Sequence, residues 1–328
     1  MIRFAKTEDI PDIMGFIDSH WKKGHILAVS MEHVLFQHQY GHEISYIVSV
    51  DENAAINGIL GYIPYGENNR DVMTAMWKVI HTEDPMLGMR LLQFLMQQGD
   101  VRIMACPGIN AGTIGIYRYL GYQTGEMNHW YRLRPGADYQ IASILDSSIP
   151  VPVLEQGRFY LERYKQFGQL EESFSFETYT KERFKPFKEK AYICRRYFEH
   201  PTYLYEVYGV TDGTSKAELL LIFRREPYHS SIALRLVDCI GKYDLLEYVT
   251  SSIDDLLVET DAEYVDLYEA GLSSTLLLRA GWRNVQDGTN IIPNYFSPFV
   301  RENISIYYFS TEPNIVLFKG DGDQDRPN

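Results

Sequence analysis

Apolar and polar positions first alternate at residues 2–6 (IRFAK), and the spacing predicts an opening strand. Thr7, Glu8, Asp9 and Pro11 then supply the cap, the acids and the early proline of a helix start. From Asp18 to Tyr40 the pattern is helical, with an interruption at Gly24. The runs ISYIVSV (44–50) and INGILGYI (56–63) flank the polar stretch DENAA and predict a β-hairpin. MTAMWKVIH (73–81) is the next strand, and Asp84 with Pro85 opens a helix through GMRLLQFLMQQ (88–98) that Gly99 ends. A strand at 101–106 and a helix at about 112–120 follow, and NHWYRLRP (128–135) is expected to close this first half.

The order then returns. TYLYEVYGVT (202–211) and AELLLIFRRE (217–226) flank DGTSK, a hairpin with an explicit Asp-Gly turn. The strand SIALRLVDCI (231–240), a helix expected to open at Gly241, a strand at 263–268 and a helix at 273–280 come next, and ISIYYFS with NIVLFKG is expected to finish the second sheet. The phrase IYRYLGYQ (116–123) recurs as LLLRAGWRN (276–284), preceded by Gly88 in one half and Gly241 in the other. A unit present only twice predicts two similar domains, because solenoids stack three or more repeats to bury their faces. The expected division is a domain over 1–135, a linker over 136–155 where Pro, Gly and Ser mix without periodicity, and a domain over 156–328. Such a length suits two cores.

Charge narrows the function classes. The formal charge of −13 argues against a protein that grips nucleic-acid backbones, since that affinity comes from Lys and Arg displacing counterions. Cys106, Cys194 and Cys239 are scattered, lack C-x-x-C spacing, and read as small buried residues in a reducing compartment. His20, His25, His33, His38 and His42 cluster in sequence, but His33 and His38 lie on different helical faces, so no metal site is expected. His20 and His25 are kept as substrate-contact candidates. Neither a signal peptide nor a run of about 18 apolar residues is present, so a cytoplasmic protein without a membrane partner is expected.

The opening IRFAKTEDIPDI and the segment NAGTIGIYRYLGYQ (110–123) resemble the GNAT N-acyltransferase superfamily over about 1–133, and more loosely over 190–310. HWKKGHILAVS (20–30), YFEHPTYLYEVYG (197–209) and FKGDGDQDRPN (318–328) look like tandem members from bacterial surface-polysaccharide gene clusters. The resemblance implies an α/β fold of two tandem domains, each a mixed, mostly antiparallel twisted sheet flanked by helices. It implies an acyl-CoA cosubstrate whose pyrophosphate sits at a helix N-terminus, with the thioester in a splay between the fourth and fifth strands. A base then deprotonates an amine and an acid protonates the departing thiolate.

Carried onto this chain, the resemblance places Tyr117 as the acid and His81, or Glu83 in its stead, as the base. Leu87, Gly88, Met89 and Asn110 would hold the cosubstrate in the first half, and Gly241 with Lys242 in the second. In HTEDPMLGMR only Gly88 fits the family's glycine pattern, and Glu83 and Asp84 bring negative charge to the helix start. In the second half a glycine and a cation are present, but Leu277 stands at the position of Tyr117. One acyl-CoA site per chain is therefore expected, in the first half, with the second half serving as a wall of the acceptor pocket. The acceptor implied is an amino sugar, nucleotide-linked, used in surface-polysaccharide synthesis, with a homodimer among the allowed assemblies. A non-catalytic GNAT-derived scaffold and an aminoacyl-tRNA-dependent transferase are the alternatives.

Overall fold

The computed structural model describes residues 1–67, 70–80, 84–214, 216–322 and 325–327. His81 and Glu83 lie outside the described residues. The main strands are β1 (Ile2–Ala5), β2 (Glu43–Val50), β3 (Ile56–Pro64), β4 (Asp71–Val79), β5 (Ile103–Ile109), β6 (Gln123–Glu126) and β7 (Asn128–Leu133), then β8 (Tyr160–Tyr164), β9 (Tyr205–Thr211), β10 (Leu219–Tyr228), β11 (Ser231–Gly241), β12 (Ala262–Ala270), β13 (Tyr307–Ser310) and β14 (Leu317–Phe318). The helices used below are α1 (Ile10–His20), α2 (Leu87–Gln98), α3 (Ile114–Tyr119), α4 (Thr250–Glu259) and α5 (Ser274–Arg279).

They form two large mixed sheets. The first runs β1-β2-β3-β4-β5-β13-β6, and the second runs β7-β12-β11-β10-β9-β8, with Arg283–Asn284 added outside β7 and β14 paired to β12. Among the described strands β4/β5 and β11/β12 pair parallel, and the other pairs within these two sheets are antiparallel. The tandem α/β architecture expected from the repeated order is present, but each sheet contains a strand expected of the other. Residues 128–133 pair with β12 in the second sheet, Trp130 opposite Leu267, and residues 307–310 insert between β5 and β6 in the first. Strand β7 is buried along nearly its whole length, so its apolar pattern cannot tell one sheet from another.

The exchange is sealed by shared packing. Ile63, Tyr65, Met73 and Ala75 of the first half share a buried cluster with Leu220, Ile222, Val237 and Ile240 of the second. Residues 136–155 contain no helix or strand, and their backbone is tied to the second sheet where Glu263 accepts from the amides of Gln140, Ile141 and Ala142. Helix α2 buries Leu87, Leu91, Leu92 and Leu95 on the first sheet, the one-faced spacing of an amphipathic helix.

Both halves carry the same irregularity. In β4 the register steps from Leu60↔Trp77 to Gly61↔Ala75, leaving Met76 as a bulge. In β11 it steps from Ile222↔Asp238 to Phe223↔Leu236, leaving Val237. A bulge bends its strand and re-aims the side chains beyond it.

Candidate active site

Two parallel strands part company in each half. Strands β4 and β5 pair only at Asp71↔Ile103, Val72↔Met104 and Met73↔Ala105, after which Thr74–Val79 and Cys106–Ile109 diverge. The paired end is pinned by Asp71, fully buried, which accepts from Arg102 Nε at 2.7 Å. The divergence opens a cavity of about 630 Å³ lined on one side by Met76, Trp77, Lys78, Cys106, Asn110 and Tyr117. Met76 sits at φ +43°, in the left-handed region that a side chain rarely adopts, and this turns the strand edge into the cavity.

Tyr117 comes from α3 and is buried, stacked on Phe309 of β13 with centroids 4.0 Å apart and planes 10° from parallel. The indole of Trp77 tilts against it at 5.6 Å. Burial, reinforced by Cys106, holds the Tyr117 hydroxyl well above the usual tyrosine range, so it stays protonated. Asn110 caps the turn before α3, accepting from the Gly112 amide at 2.8 Å, while Thr113 Oγ1 donates to the Asn110 carbonyl at 2.7 Å. That loop holds α3 and hence the phenol at the cavity wall.

At the start of α2, Trp77 Nε1 donates to the Gly88 carbonyl at 3.1 Å, and a Cβ on Gly88 would lie 3.1 Å from the indole. A side chain at Gly88 would crowd the indole, which would have to shift by a few tenths of an ångström. Asp84 Oδ1 accepts from the Met86 amide at 3.0 Å and its carboxylate is paired with Arg90, so the acid at the helix start is neutralised by a cation one turn on. Leu87 is buried, whereas Gly88 and Met89 are half-exposed at the helix opening.

The second half has the matching divergence, and the chain fills it. Beyond Leu236↔Leu267 strands β11 and β12 separate, and Phe318 and Leu317 pair with Glu269 and Ala270 in the gap. Gly320 lies so close that a Cβ would stand 2.9 Å from the Val237 carbonyl. Beneath it, Lys188 Nζ bridges Asp238 at 2.6 Å and Asp321 at 2.8 Å, all three buried, and Tyr197 donates to Asp238. Burial opposes the Lys188 charge, yet the two carboxylates carry its pKa upward; burial likewise raises Asp238, to about 6.

Gly241 ends β11 instead of opening a helix. Its φ of +128° and its approach to Glu218 exclude a side chain, and the chain continues as a 3-10 turn over Tyr243–Tyr248 before α4 begins at Thr250. One amide in the first turn of α4 is already engaged: Ser251 N–H donates to Gln156 Oε1 at 3.2 Å. Lys242 faces Glu218 at 3.6 Å. Leu277 is fully buried in the core.

Of the histidines, His20 is exposed beside Phe16, and His25 is buried as a cap, its Nδ1 accepting from the Leu27 amide at 3.1 Å. Neither lines the cavity; Trp21 does. His33 bonds Thr202 and His38 bonds Ser45, and burial lowers His38 to about 3. Among the described residues no group of three or more His, Cys, Asp or Glu is placed to hold a metal. No helix among them is long and apolar enough to cross a membrane.

The second half supplies the far wall of the cavity, with Arg224, Glu226, Arg235, Asn294, Lys319 and Arg326 among its lining residues, none of them singled out from the sequence. Arg235 donates to Asp266 at 2.8 Å and to the carbonyls of Pro293 and Asn294, which fixes the loop that carries Asn294. The available signal was a charge inside an apolar strand, as in LLLIFRRE and SIALRLVDC, where a buried ion demands a partner.

No family model matches the sequence, and no curated protein resembles it in sequence. Solved structures do share the fold. The GCN5-related N-acetyltransferase from Anabaena variabilis ATCC 29413 superposes with a TM-score of 0.54 at 14% identity, over 94% of this chain and 72% of that one. A conserved protein of unknown function from Enterococcus faecalis V583, described as a probable N-acyltransferase, gives 0.56 at 10% identity over the same shares. At such identities the likeness establishes architecture: this chain has the fold of the GCN5-related N-acetyltransferases.

Proposed function

We propose that the chain is an acyl-CoA-dependent N-acyltransferase with one working site, in the first half. The observation that carries this is the cavity where β4 and β5 diverge, with Tyr117 in its wall and α2 opening beside it, set against a second divergence that residues 317–321 fill. An acyl thioester seated along the bulged edge at Met76 would present its carbonyl to an amine arriving from the second-half wall. The amine nitrogen bonds to the carbonyl carbon, the carbon–sulfur bond breaks, and the leaving sulfur takes a hydrogen bond from Tyr117. A free thiol has a pKa of about 8.5, well below that of a buried phenol, so the phenol stabilises the leaving thiolate by hydrogen bonding more than by giving up its proton. Holding amine and thioester together supplies much of the remaining acceleration.

The acceptor we propose is an amino sugar, nucleotide-linked, and the base is His81 or Glu83, which follow β4 in the sequence. The test is release of CoA thiol from acetyl-CoA with a panel of amines, beside calorimetric titration with CoA. Turnover with one CoA site supports the reading. Stoichiometric CoA binding without turnover of any amine favours a scaffold descended from the same fold, and absence of binding at millimolar CoA overturns both.

A further inference from the structure

The second-half wall of the cavity is cationic in a specific way. Arg224 is paired with Asp325 and Glu226, and Arg235 with Asp266 and Glu226, so these charges are balanced within the protein. Lys319 is different. It is only 2% exposed, its Nζ donates to Asn294 Oδ1 at 2.6 Å, and among the described residues no carboxylate lies within 4.0 Å of it. A buried ammonium held by one neutral amide is incompletely compensated. Because Oδ1 of Asn294 accepts from Nζ, its amide nitrogen points away, and that buried Nδ2 has no hydrogen-bond partner among the described residues. Asn294 is 2% exposed and lines the cavity, and Arg326, 7% exposed, lines it as well.

A buried N–H donor with no partner among the described residues, beside an ammonium with no carboxylate of those residues within 4.0 Å, has the complement of an oxyanion. The splay on the opposite wall offers the aromatic faces of Trp77 and Tyr117, which suit the thioester arm. An amine by itself would be repelled by the cationic side.

We propose that Lys319 and Asn294, with Arg326 lining the same cavity, form a specificity subsite that binds an anionic group on the acceptor, a carboxylate or a phosphate, so that the enzyme selects amines that also carry negative charge. This rests on the acyltransferase reading and deepens it. A nucleotide-linked amino sugar satisfies the rule through its diphosphate, and an amino acid or amino uronate would satisfy it through its carboxylate.

The experiment compares matched amines as acceptors with acetyl-CoA: glucosamine against glucosamine 6-phosphate, a UDP-linked amino sugar, and an amino acid against its amide. Wild type, Lys319→Gln and Lys319→Arg are assayed, with CoA affinity measured separately by calorimetry. The expected result is at least tenfold preference in kcat/KM for the charged member of a pair, lost in Lys319→Gln through KM, largely restored in Lys319→Arg, with CoA affinity unchanged. Which pair shows the preference separates phosphate from carboxylate. If no amine turns over, melting shifts with inorganic phosphate, pyrophosphate and citrate decide: stabilisation in wild type and not in Lys319→Gln supports the subsite, and equal shifts overturn it.

Three other outcomes overturn the proposal while leaving the acyltransferase intact. They are equal turnover of charged and neutral amines, a fall in CoA affinity in Lys319→Gln with acceptor KM unchanged, and a loss confined to kcat that Arg does not rescue, which would make Lys319 a base. Failure of wild type to bind CoA would instead count against the acyltransferase reading itself.

Discussion

Tyr117 of α3 stacks face to face on Phe309 of β13 at 4.0 Å, so the phenol in the first half's cavity is seated by a strand from the last tenth of the chain. The ring is fixed by packing, and the role proposed for the phenol rests on its hydroxyl. Tyr117→Phe keeps the stack and removes only the hydroxyl. It should lower kcat by about 10²- to 10⁴-fold while the melting temperature hardly moves. Phe309→Ala removes a fully buried ring and should cost about 3–5 kcal/mol of stability in denaturant melts, with activity falling as well. Unchanged turnover in Tyr117→Phe would reduce the phenol to a packing residue.

The two halves should differ in CoA binding. Met89, half-exposed in the first turn of α2, lies where an anion would meet the helix N-terminus. Met89→Asp places a carboxylate there and should weaken CoA on the order of tenfold, since a charge at a helix end is worth about 1 kcal/mol and direct repulsion adds to it. Lys242→Gln should leave the affinity alone, because Lys242 already faces Glu218 and the Ser251 amide in the first turn of α4 is bonded to Gln156. Calorimetry of both variants gives the answer, and loss of binding only in Lys242→Gln would move the site to the second half.

Much of this arrangement was legible in the sequence. The hairpin at 43–64 announced itself through two strand-like runs around a polar turn, and the repeated glycine-aromatic phrase marked both α3 and α5. The strand exchange was not legible: NHWYRL and YYFS read as strands, but periodicity carries no information on which strand each will pair with. The filling of the second cleft was hidden for a similar reason. Gly320 fits beside Val237 because it lacks a Cβ, a constraint visible only once the two segments are together. Gly241 illustrates the converse, a glycine that invited a helix start and serves a strand end under Glu218.

The filled cleft should be held by its buried ions. Lys188→Met leaves Asp238 and Asp321 without their cation in a site closed to water. Removing one member of a buried charge network costs about 3–5 kcal/mol, so the variant should melt well below wild type. A second change, Asp238→Asn in the Lys188→Met background, should recover part of the loss by removing one orphaned charge. A variant as stable as wild type would mean that residues 317–321 are held by packing alone.

Lys319 supplies a pH signature. Burial first, and then the nearby Arg235, bring its pKa down from 10.5 to about 7, against the opposing pull of Asp266, Glu226 and Asp325; Asn294 and the Tyr268 ring complete its surroundings. Between those two values the unfolded chain binds the proton and the folded protein does not. Stability therefore rises with pH across that window, by at most about 1.4 kcal/mol per pH unit, and below about 7 the cost of holding the buried ammonium is fully present. Lys319→Met has no such proton, so the stability difference between wild type and variant should shift in favour of wild type from pH 7 to pH 10. A bound oxyanion favours the ammonium and raises its pKa, which reverses the preference: phosphate should protect wild type best at or below pH 7 and lose its effect as the pH rises. Melting curves at several pH values, with and without phosphate, for the two proteins test this, and parallel curves for wild type and variant would show that Lys319 does not titrate in the cavity.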